Sequence, residues 1–319
     1  MQASIFLQPI IEEAESRGID CHALLEVSRN YAILRYGNHE EYIHNTLTNH
    51  IGASTTRILK NKYFQSVLLT EKGYVTPKTQ VVNLSNSAQF IRDFNQFPCV
   101  IKPLDNYGGK GITVNITNHT DLEKAIELAC SMSIKYKNKC LVQEMVQGDE
   151  YRVLVIGNKD VFLVKRTPFR VIGDGIHSIQ DLIEIYNDNA INSTRIVEIG
   201  DNIHNILQEQ SLRLEYIPQN QEIIKLSYKA NSHDGGSSEE MTEFLPEGLK
   251  QFAIQLSLDF KLPVVGIDII TSDINNPNPC VLELNLLPGL TIHNNPTFGK
   301  PTKPQKAIID LLFPETKSI

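Results

Sequence analysis

The segment Val281-Leu282-Glu283-Leu284-Asn285-Leu286-Leu287-Pro288-Gly289 constrains the fold more than any other stretch of this 319-residue sequence. It is an apolar run of the kind that forms a buried strand, broken by one acid and one amide two residues apart. Side chains alternate along a strand, so Glu283 and Asn285 project from one face. A carboxylate buried without a partner is costly, so this one needs a cation. Val264-Val265-Gly266-Ile267-Asp268-Ile269-Ile270 repeats the arrangement with a single acid, Asp268. Two neighbouring strands of this kind gather Asp268, Glu283 and Asn285 as a hard oxygen ligand set suited to one or two Mg²⁺ ions. The other reading is strand acids satisfied by backbone N–H groups or by an arginine. The residues alone leave both open.

The bulk properties exclude several classes. The chain is 41% hydrophobic and 21% charged, as soluble globular proteins are. No apolar run approaches the ~18 residues that span a bilayer, and Met1 to Phe6 lacks the basic-then-apolar pattern of a leader. A cytoplasmic protein with no membrane partner is therefore expected. Net charge is −7 without a basic stripe, so nucleic acid is not expected as a partner. The cysteines are odd in number and none forms a C-x-x-C pair, which suits a reduced compartment. Cys99, Cys140 and Cys280 lie in strand-like apolar runs and read as buried, inert thiols. His39-Glu40-Glu41-Tyr42-Ile43-His44 suggests zinc, but its histidines are five apart, where a shared helix face needs four. It reads as solvated helix surface.

Along the chain, residues 1–60 read as short helices with at most one strand. Ile5 to Ala14 is amphipathic, and Gly18 supplies a stop. Residues 61–148 form a first lobe: a helix over Lys62 to Glu71, strands over Pro98 to Pro103, Ile112 to Ile116 and Cys140 to Glu144. Thr120-Asp121-Leu122-Glu123 reads as a capping box opening another helix. Residues 149–319 form a second lobe. Tyr151 to Ile156 and Val161 to Lys165, separated by Gly157-Asn158-Lys159-Asp160, make a hairpin signal. A helix begins at Ser178, and residues 190–222 are polar and irregular. The fold class is α+β.

Several residues have chemical character. Lys102 sits inside the apolar run Val100 to Pro103, where an ammonium needs an anion. Gly108-Gly109-Lys110-Gly111 follows closely. Glycines let backbone N–H groups approach a phosphate, and Lys110 adds charge. The spacing is neither a P-loop nor a dinucleotide fingerprint, and a lone glycine turn is usually only a turn. Gln143-Glu144-Met145-Val146 leads through Gly148 to Glu150. Its apolar middle offers backbone groups that an adenine edge can pair with, and Glu150 can accept from ribose hydroxyls. An ordinary connector fits as well. Lys165, Arg166 and Arg170 form a cationic cluster suited to phosphate or a substrate carboxylate.

Taken in order, Lys62, Lys102, the Gly108–Gly111 loop, Gln143 to Glu150, Asp268, Glu283 and Asn285 resemble the ATP-grasp carboxylate–amine ligases. Within that family the sequence resembles the ATP-grasp modules of cyanophycin synthetase and bifunctional glutathione synthase. It rests on Asn45-Thr46-Leu47-Thr48-Asn49, Ile101 to Asp105, Glu150 to Val155, Val171 to Gly175, Gly266-Ile267-Asp268, Glu283 through Pro288-Gly289 to His293, and Ile308 to Pro314. These motifs are dispersed in the family's order over residues 30–315.

The resemblance implies two α+β lobes clasping ATP, preceded by a short N-terminal region. Lys62 and Lys102 would contact the phosphates under the Gly108, Gly109, Lys110 and Gly111 loop. Gln143, Glu144, Met145 and Val146 would hold adenine, and Glu150 the ribose. Asp268, Glu283 and Asn285 would carry one or two Mg²⁺, with Mn²⁺ as a substitute. Lys102, Arg166, Lys229 and Asn231 would serve catalysis. The γ-phosphoryl would pass to a small-molecule or peptide carboxylate, and an amine would displace phosphate from the acyl phosphate to leave an amide. The short N-terminal region leaves the acceptor pocket open to completion by a partner subunit, which a homodimer would supply. The sequence departs from the family at two places. Asn106-Tyr107-Gly108-Gly109 replaces Gly-Asn-His-Gly, and Ser227 stands where an arginine usually steadies the acyl phosphate. Lys225 or Lys229 would have to substitute, without arginine's planar fork. Two alternatives follow: a nucleotide-binding regulatory module without ligase chemistry, and an ATP-grasp small-molecule kinase.

Overall fold

The computed structural model of the chain describes residues 2–106, 108–189, 196–230 and 235–317. The chain divides into two compact units. One comprises Met1–Val81, Val146–Lys165 and Glu239–Ile319, and the other Val82–Met145 and Arg166–Ser238.

The first unit opens with helix α1 (Gln8–Ser16), strands β1 (Asp20–Ala23), β2 (Tyr31–Tyr36), β3 (His39–His44) and β4 (Leu47–Thr48), then helices α2 (Ala53–Leu59) and α3 (Lys62–Glu71). Gly18, in a left-handed conformation, follows α1 as expected. The strands contradict the helical reading of residues 1–60, forming a four-stranded antiparallel sheet in sequential order. Tyr36 pairs with His39, so Gly37-Asn38 is a two-residue hairpin turn, a strand signal that the charge of Glu40 and Glu41 obscures. Ala32, Leu34, Glu41 and Ile43 are buried, and their neighbours face outward. His39 and His44, separated by an odd number of residues, therefore lie on opposite faces. His44 stacks on Tyr31 at 4.2 Å, while His39 and His50 both reach the Glu41 carboxylate, at 3.1 and 3.0 Å. The pair cannot share a metal, for strand rather than helix reasons.

Strand β5 (Thr79–Asn83) leads into the second unit. There α4 (Ser87–Asp93), β6 (Cys99–Pro103), β7 (Thr113–Ile116), α5 (His119–Met132) and β8 (Lys139–Glu144) follow. These strands form a sheet in the order β5-β8-β6-β7. It packs on α5 through Leu122, Ala125, Ile126 and Ala129. The cap of α5 is not Thr120 but Asn118, whose side chain accepts from Asp121 N–H at 2.9 Å. Asparagine outranks threonine at this position. Burial pushes the Cys99 thiol up to about 11, and Cys130 and Cys140 are also buried free thiols. Cys280 is only partly buried.

Strands β9 (Asp149–Ile156) and β10 (Asp160–Thr167) form the expected hairpin. The second unit resumes with β11 (Arg170–Ile172), α6 (Ile179–Asn189), α7 (Asp201–Glu209) and β12 (Ile223–Lys225). Helix α7 lies in the stretch the sequence left irregular. Its Ile203, Ile206 and Leu207 are buried, an apolar face too short to stand out among polar neighbours. Then β13 (Ser237–Glu240) leads back to the first unit, followed by α8 (Glu247–Asp259), β14 (Val264–Thr271), β15 (Cys280–Asn285), α9 (Thr291–Asn294) and α10 (Gln305–Leu312).

The first unit is organised by a five-stranded sheet in the order β13-β10-β9-β14-β15. One face carries Leu154, Ile156 and Val264 into a core with Leu7, Ile10, Ile308 and Phe313. The other carries Val153, Val155, Val265, Ile267 and Ile269 against Leu249, Ala253 and Leu256 of α8. Covering both faces lets a strand be apolar on both sides, as β14 is over Val264–Ile267. Among the described residues no helix is long and apolar enough to cross a membrane. Truncating fully buried Leu154 to alanine should cost about 2–5 kcal/mol in urea unfolding.

Candidate functional site

Arg152, Asp268 and Glu283 form one row across the sheet of the first unit. Asp268 pairs with Arg152 of β9 on one side and with Glu283 of β15 on the other. Cross-strand partners share a face, so all three project together. They sit on the face that holds Leu154, Ile156 and Val264, two to four residues farther along each strand. The face thus changes from apolar to charged along the strands.

The charges are paired. Arg152 grips Asp268 with two nitrogens, Nε on Oδ1 and Nη2 on Oδ2, the latter at 3.1 Å. Asn285 Nδ2 donates to Asp268 Oδ2 at 2.9 Å, which leaves the Asn285 amide oxygen as an acceptor. Lys62 pairs with Glu283 Oε1. Burial opposes the Arg152 charge, but Asp268, with Glu150 and Glu283, outweighs it and holds the guanidinium above its usual range. Asn61 caps α3, its side chain accepting from the N–H groups of Tyr63 and Phe64 at 3.0 and 3.1 Å, and so fixes Lys62 at the start of the helix.

Gly266 makes room for this fork. A Cβ there would lie 2.9 Å from Pro288 Cβ, 3.1 Å from Arg152 Cδ and 3.3 Å from its Nη1. The guanidinium reaches Asp268 by lying across a position without a side chain.

A second buried pair lies in the same unit. His293, at 0% exposure, donates from Nδ1 to Glu240 Oε2 at 3.0 Å. Glu240 also accepts from the Thr302 hydroxyl at 2.9 Å and from Thr242. His293 Nε2 is buried without a hydrogen-bond partner. Burial first, and then the Arg152 charge, hold the imidazole below its usual range despite Glu240. Burial tends to raise Glu240, but bonds from His293, Thr242 and Thr302 leave it lowered.

The expected residues fall into groups by unit. The structure brings Lys62, Asp268, Glu283 and Asn285 together in the first unit. Glu150 is also there, on β9, two residues from Arg152. Lys102 is buried in β6 of the second unit. Gly108, Gly109, Lys110 and Gly111 form a turn there, with exposed Lys110 at its tip. Gly111 has φ +74, and a Cβ on it would come within 2.9 Å of both Met132 and Pro103. Gln143 and Glu144 end β8, and Met145 N–H is already taken by Pro98 O at 3.4 Å. Val146 begins the return to the first unit. Arg166 donates to Ala230 O at 3.1 Å. Lys165 does not join it in a free cationic cluster, because its ammonium pairs with Asp149 at 2.7 Å. Asn231, with His233, Asp234 and Tyr107, lies outside the described residues.

Sequence reasoning left Arg152, Gln65 and the Glu240–His293 pair without roles. Arg152 had a signal: an arginine interrupting the apolar run that follows Glu150. Among the described residues, no group of three or more His, Cys, Asp or Glu side chains is placed to hold a metal ion. The oxygen set is two carboxylates and one amide. For Asp268, the arginine reading holds in this structure.

A family model described as the D-ala D-ala ligase C-terminus matches residues 67–217. One described as a RimK-like ATP-grasp domain matches residues 178–299. Cyanophycin synthetase from Crocosphaera subtropica is 32% identical over 96% of this chain and 36% of its own length. The glutathione biosynthesis bifunctional protein GshAB of Pasteurella multocida is 27% identical, over 97% of this chain and 42% of its own. The crystal structure of a bifunctional glutathione synthetase from Pasteurella multocida matches with a TM-score of 0.69 at 27% identity, covering 98% of this chain and 44% of that one. The chain spans less than half the length of these relatives.

Two measurements test the site's physics. Gly266→Ala should cost about 1–3 kcal/mol in chemical denaturation, as overpacking does. For His293, the unfolded imidazole takes up a proton as pH falls through its ordinary range near 6.5, and the folded one resists. This residue therefore lowers stability as pH falls. Between about pH 7.5 and about pH 5.5, His293→Gln should lose less stability than the wild type. The difference separates His293 from His39 and His177, which acid partners raise.

Proposed function

We propose that this chain, an ATP-grasp protein by its fold and by the models it matches, is an ATP-dependent ligase that joins a carboxylate to an amine. The observation that carries the reading is the row Arg152–Asp268–Glu283, with Lys62 paired to Glu283 and Asn285 bonded to Asp268. The relatives named for making cyanophycin and glutathione support it. The substrates belong to the same chemical class: a small-molecule or peptide acid, and an amine.

Phosphoryl transfer needs alignment and charge neutralisation more than it needs a proton-transfer residue. The donor set fits a divalent ion, Mg²⁺ or Mn²⁺. Asp268 and Glu283 supply carboxylate oxygens, Asn285 an amide oxygen. Mg²⁺ is typically held by one or two carboxylates together with substrate phosphates rather than in an all-protein cage. Two acids and an amide suffice for that, where a free-standing metal site would need more. Once bound, the ion neutralises charge that develops on the phosphoryl oxygens.

The chain's own groups do the rest. Arg152 orients Asp268 through its fork and prevents the carboxylate from turning toward solvent. Lys62 is positioned by α3 to exchange Glu283 for a phosphate oxygen. In the second unit, Lys102 and the backbone of the Gly108–Gly111 turn are assigned to phosphate, with Gln143 and Glu144 at the purine. Since Met145 N–H is engaged, Val146 is the stronger backbone partner for adenine. Glu150 is assigned to ribose. Ser227 is buried and locked with Lys229, accepting from its N–H at 3.0 Å and donating to its C=O at 3.1 Å. Lys225 lies 5.0 Å over the Tyr228 ring. Of the two lysines, half-buried Lys229 is the candidate replacement for the family arginine, and Arg166 and Asn231 keep the catalytic roles assigned from the resemblance.

The test is release of ADP and phosphate with panels of acids and amines. Asp268→Asn and Glu283→Gln keep shape but remove charge, and each should reduce turnover by at least about 100-fold in protein that still folds, with Asp268→Asn also losing stability because it leaves the buried Arg152 guanidinium without its counter-charge. Turnover retained in both contradicts the assignment. Nucleotide binding without acid-dependent ADP release indicates a regulatory module, and a stable phosphorylated product without amide indicates a kinase.

A further inference from the structure

Strand β15 is the edge of the five-stranded sheet, so alternate backbone groups along it have no strand to pair with. Leu284 lies between the two residues assigned to the cation, Glu283 and Asn285. Both of its backbone groups are satisfied by one side chain from outside the sheet. Gln65 of α3 accepts from Leu284 N–H with Oε1 at 2.9 Å and donates to Leu284 O from Nε2 at 2.9 Å. The same Nε2 donates to Leu59 O at the end of α2. Leu284 and Gln65 are both buried, the latter at 4% exposure, so water does not compete for these bonds. The carboxamide occupies the place of a neighbouring strand, at a single residue.

That residue lies where position matters. Fixing the Leu284 peptide units fixes the Cα atoms of Glu283 and Asn285, which share the opposite side-chain face. Gln65 also stands one helical turn after Lys62, whose ammonium pairs with Glu283. One amide therefore ties the helix bearing the cation to the strand bearing the anion. An apolar residue would fill the volume, and only a side chain with both an acceptor and a donor satisfies both groups. Residues behind a metal's ligands orient them.

We propose that Gln65 is a positioning residue for the divalent-cation end of the site, setting the Glu283–Asn285 oxygen pair through the backbone of Leu284. This rests on the ligase reading for the identity of the ligand, but not for the latch itself. The experiment therefore has two arms, on Gln65→Met and Gln65→Glu in the full chain. Methionine keeps length and loses both bonds, whereas glutamate keeps the acceptor and loses the donor.

In the first arm, amide hydrogen exchange follows Leu284, with Ile267 on β14 as the internal control. Exchange at Leu284 should accelerate at least about tenfold in Gln65→Met and less in Gln65→Glu. In the second arm, Mn²⁺ is titrated by electron paramagnetic resonance with ADP present. Affinity should weaken by about 10–100-fold in both variants, while ADP affinity without metal stays within about twofold of wild type. Unchanged exchange at Leu284 overturns the latch. Faster exchange with unchanged Mn²⁺ affinity overturns the positioning role and leaves Gln65 merely structural. A wild-type protein that binds no Mn²⁺ with ADP fails the ligase reading instead, and overturns the site role while the exchange result still decides the latch.

Discussion

The fork of Arg152 on Asp268 is the interaction on which the rest of this site depends. It stands where one face of the central sheet passes from apolar to charged. Behind it, Leu154, Ile156 and Val264 are sealed by α1 and α10. A lone aspartate in this position would be costly to ionise, since burial penalises an unpaired charge heavily. The guanidinium removes that cost and holds the carboxylate in one rotamer. Gly266 is part of the same device, because the fork crosses its empty Cβ position.

The charge balance of the row carries a functional consequence. Arg152 and Lys62 supply two positive charges, and Asp268 and Glu283 two negative ones. The row is neutral as it stands, so a bare divalent ion gains little by entering it. On the proposed ligase reading, a nucleotide polyphosphate would change the balance, drawing Lys62 toward its own oxygens and releasing Glu283 toward the cation. On that proposal the row would accept metal and nucleotide together. The Glu240–His293 pair adds a buried carboxylate in the same unit, hydrogen-bonded to an imidazole whose pKa is kept low by burial and by Arg152.

Much of this was legible in the sequence, for stated physical reasons. Glu283 and Asn285 share a face because strand alternation is strict, and the ATP-grasp resemblance read from dispersed motifs is borne out by the matching models and relatives. The β9–β10 hairpin was announced by Gly157-Asn158. The N-terminal sheet was not read, although Gly37-Asn38 carried the same kind of signal, because Glu40 and Glu41 gave the following strand the look of a solvated helix. One of those acids, Glu41, is buried against His39 and His50. Helix α7 and the Asn118 cap were missed because their signals are short and local. Gln65 was illegible in principle. Its role depends on β15 being an edge strand, which no residue near position 65 encodes.

The central claim is that a charge-neutral row takes up a cation only in company with phosphate. Its most direct test is Mn²⁺ binding to the wild-type chain by equilibrium dialysis, with and without a non-hydrolysable ATP analogue. The account predicts binding at least about 100-fold tighter with the nucleotide present, where its phosphates complete the ligand set. Equally tight binding without nucleotide would contradict it, because the Asp268 and Glu283 carboxylates and the Asn285 amide would then form a metal site of their own.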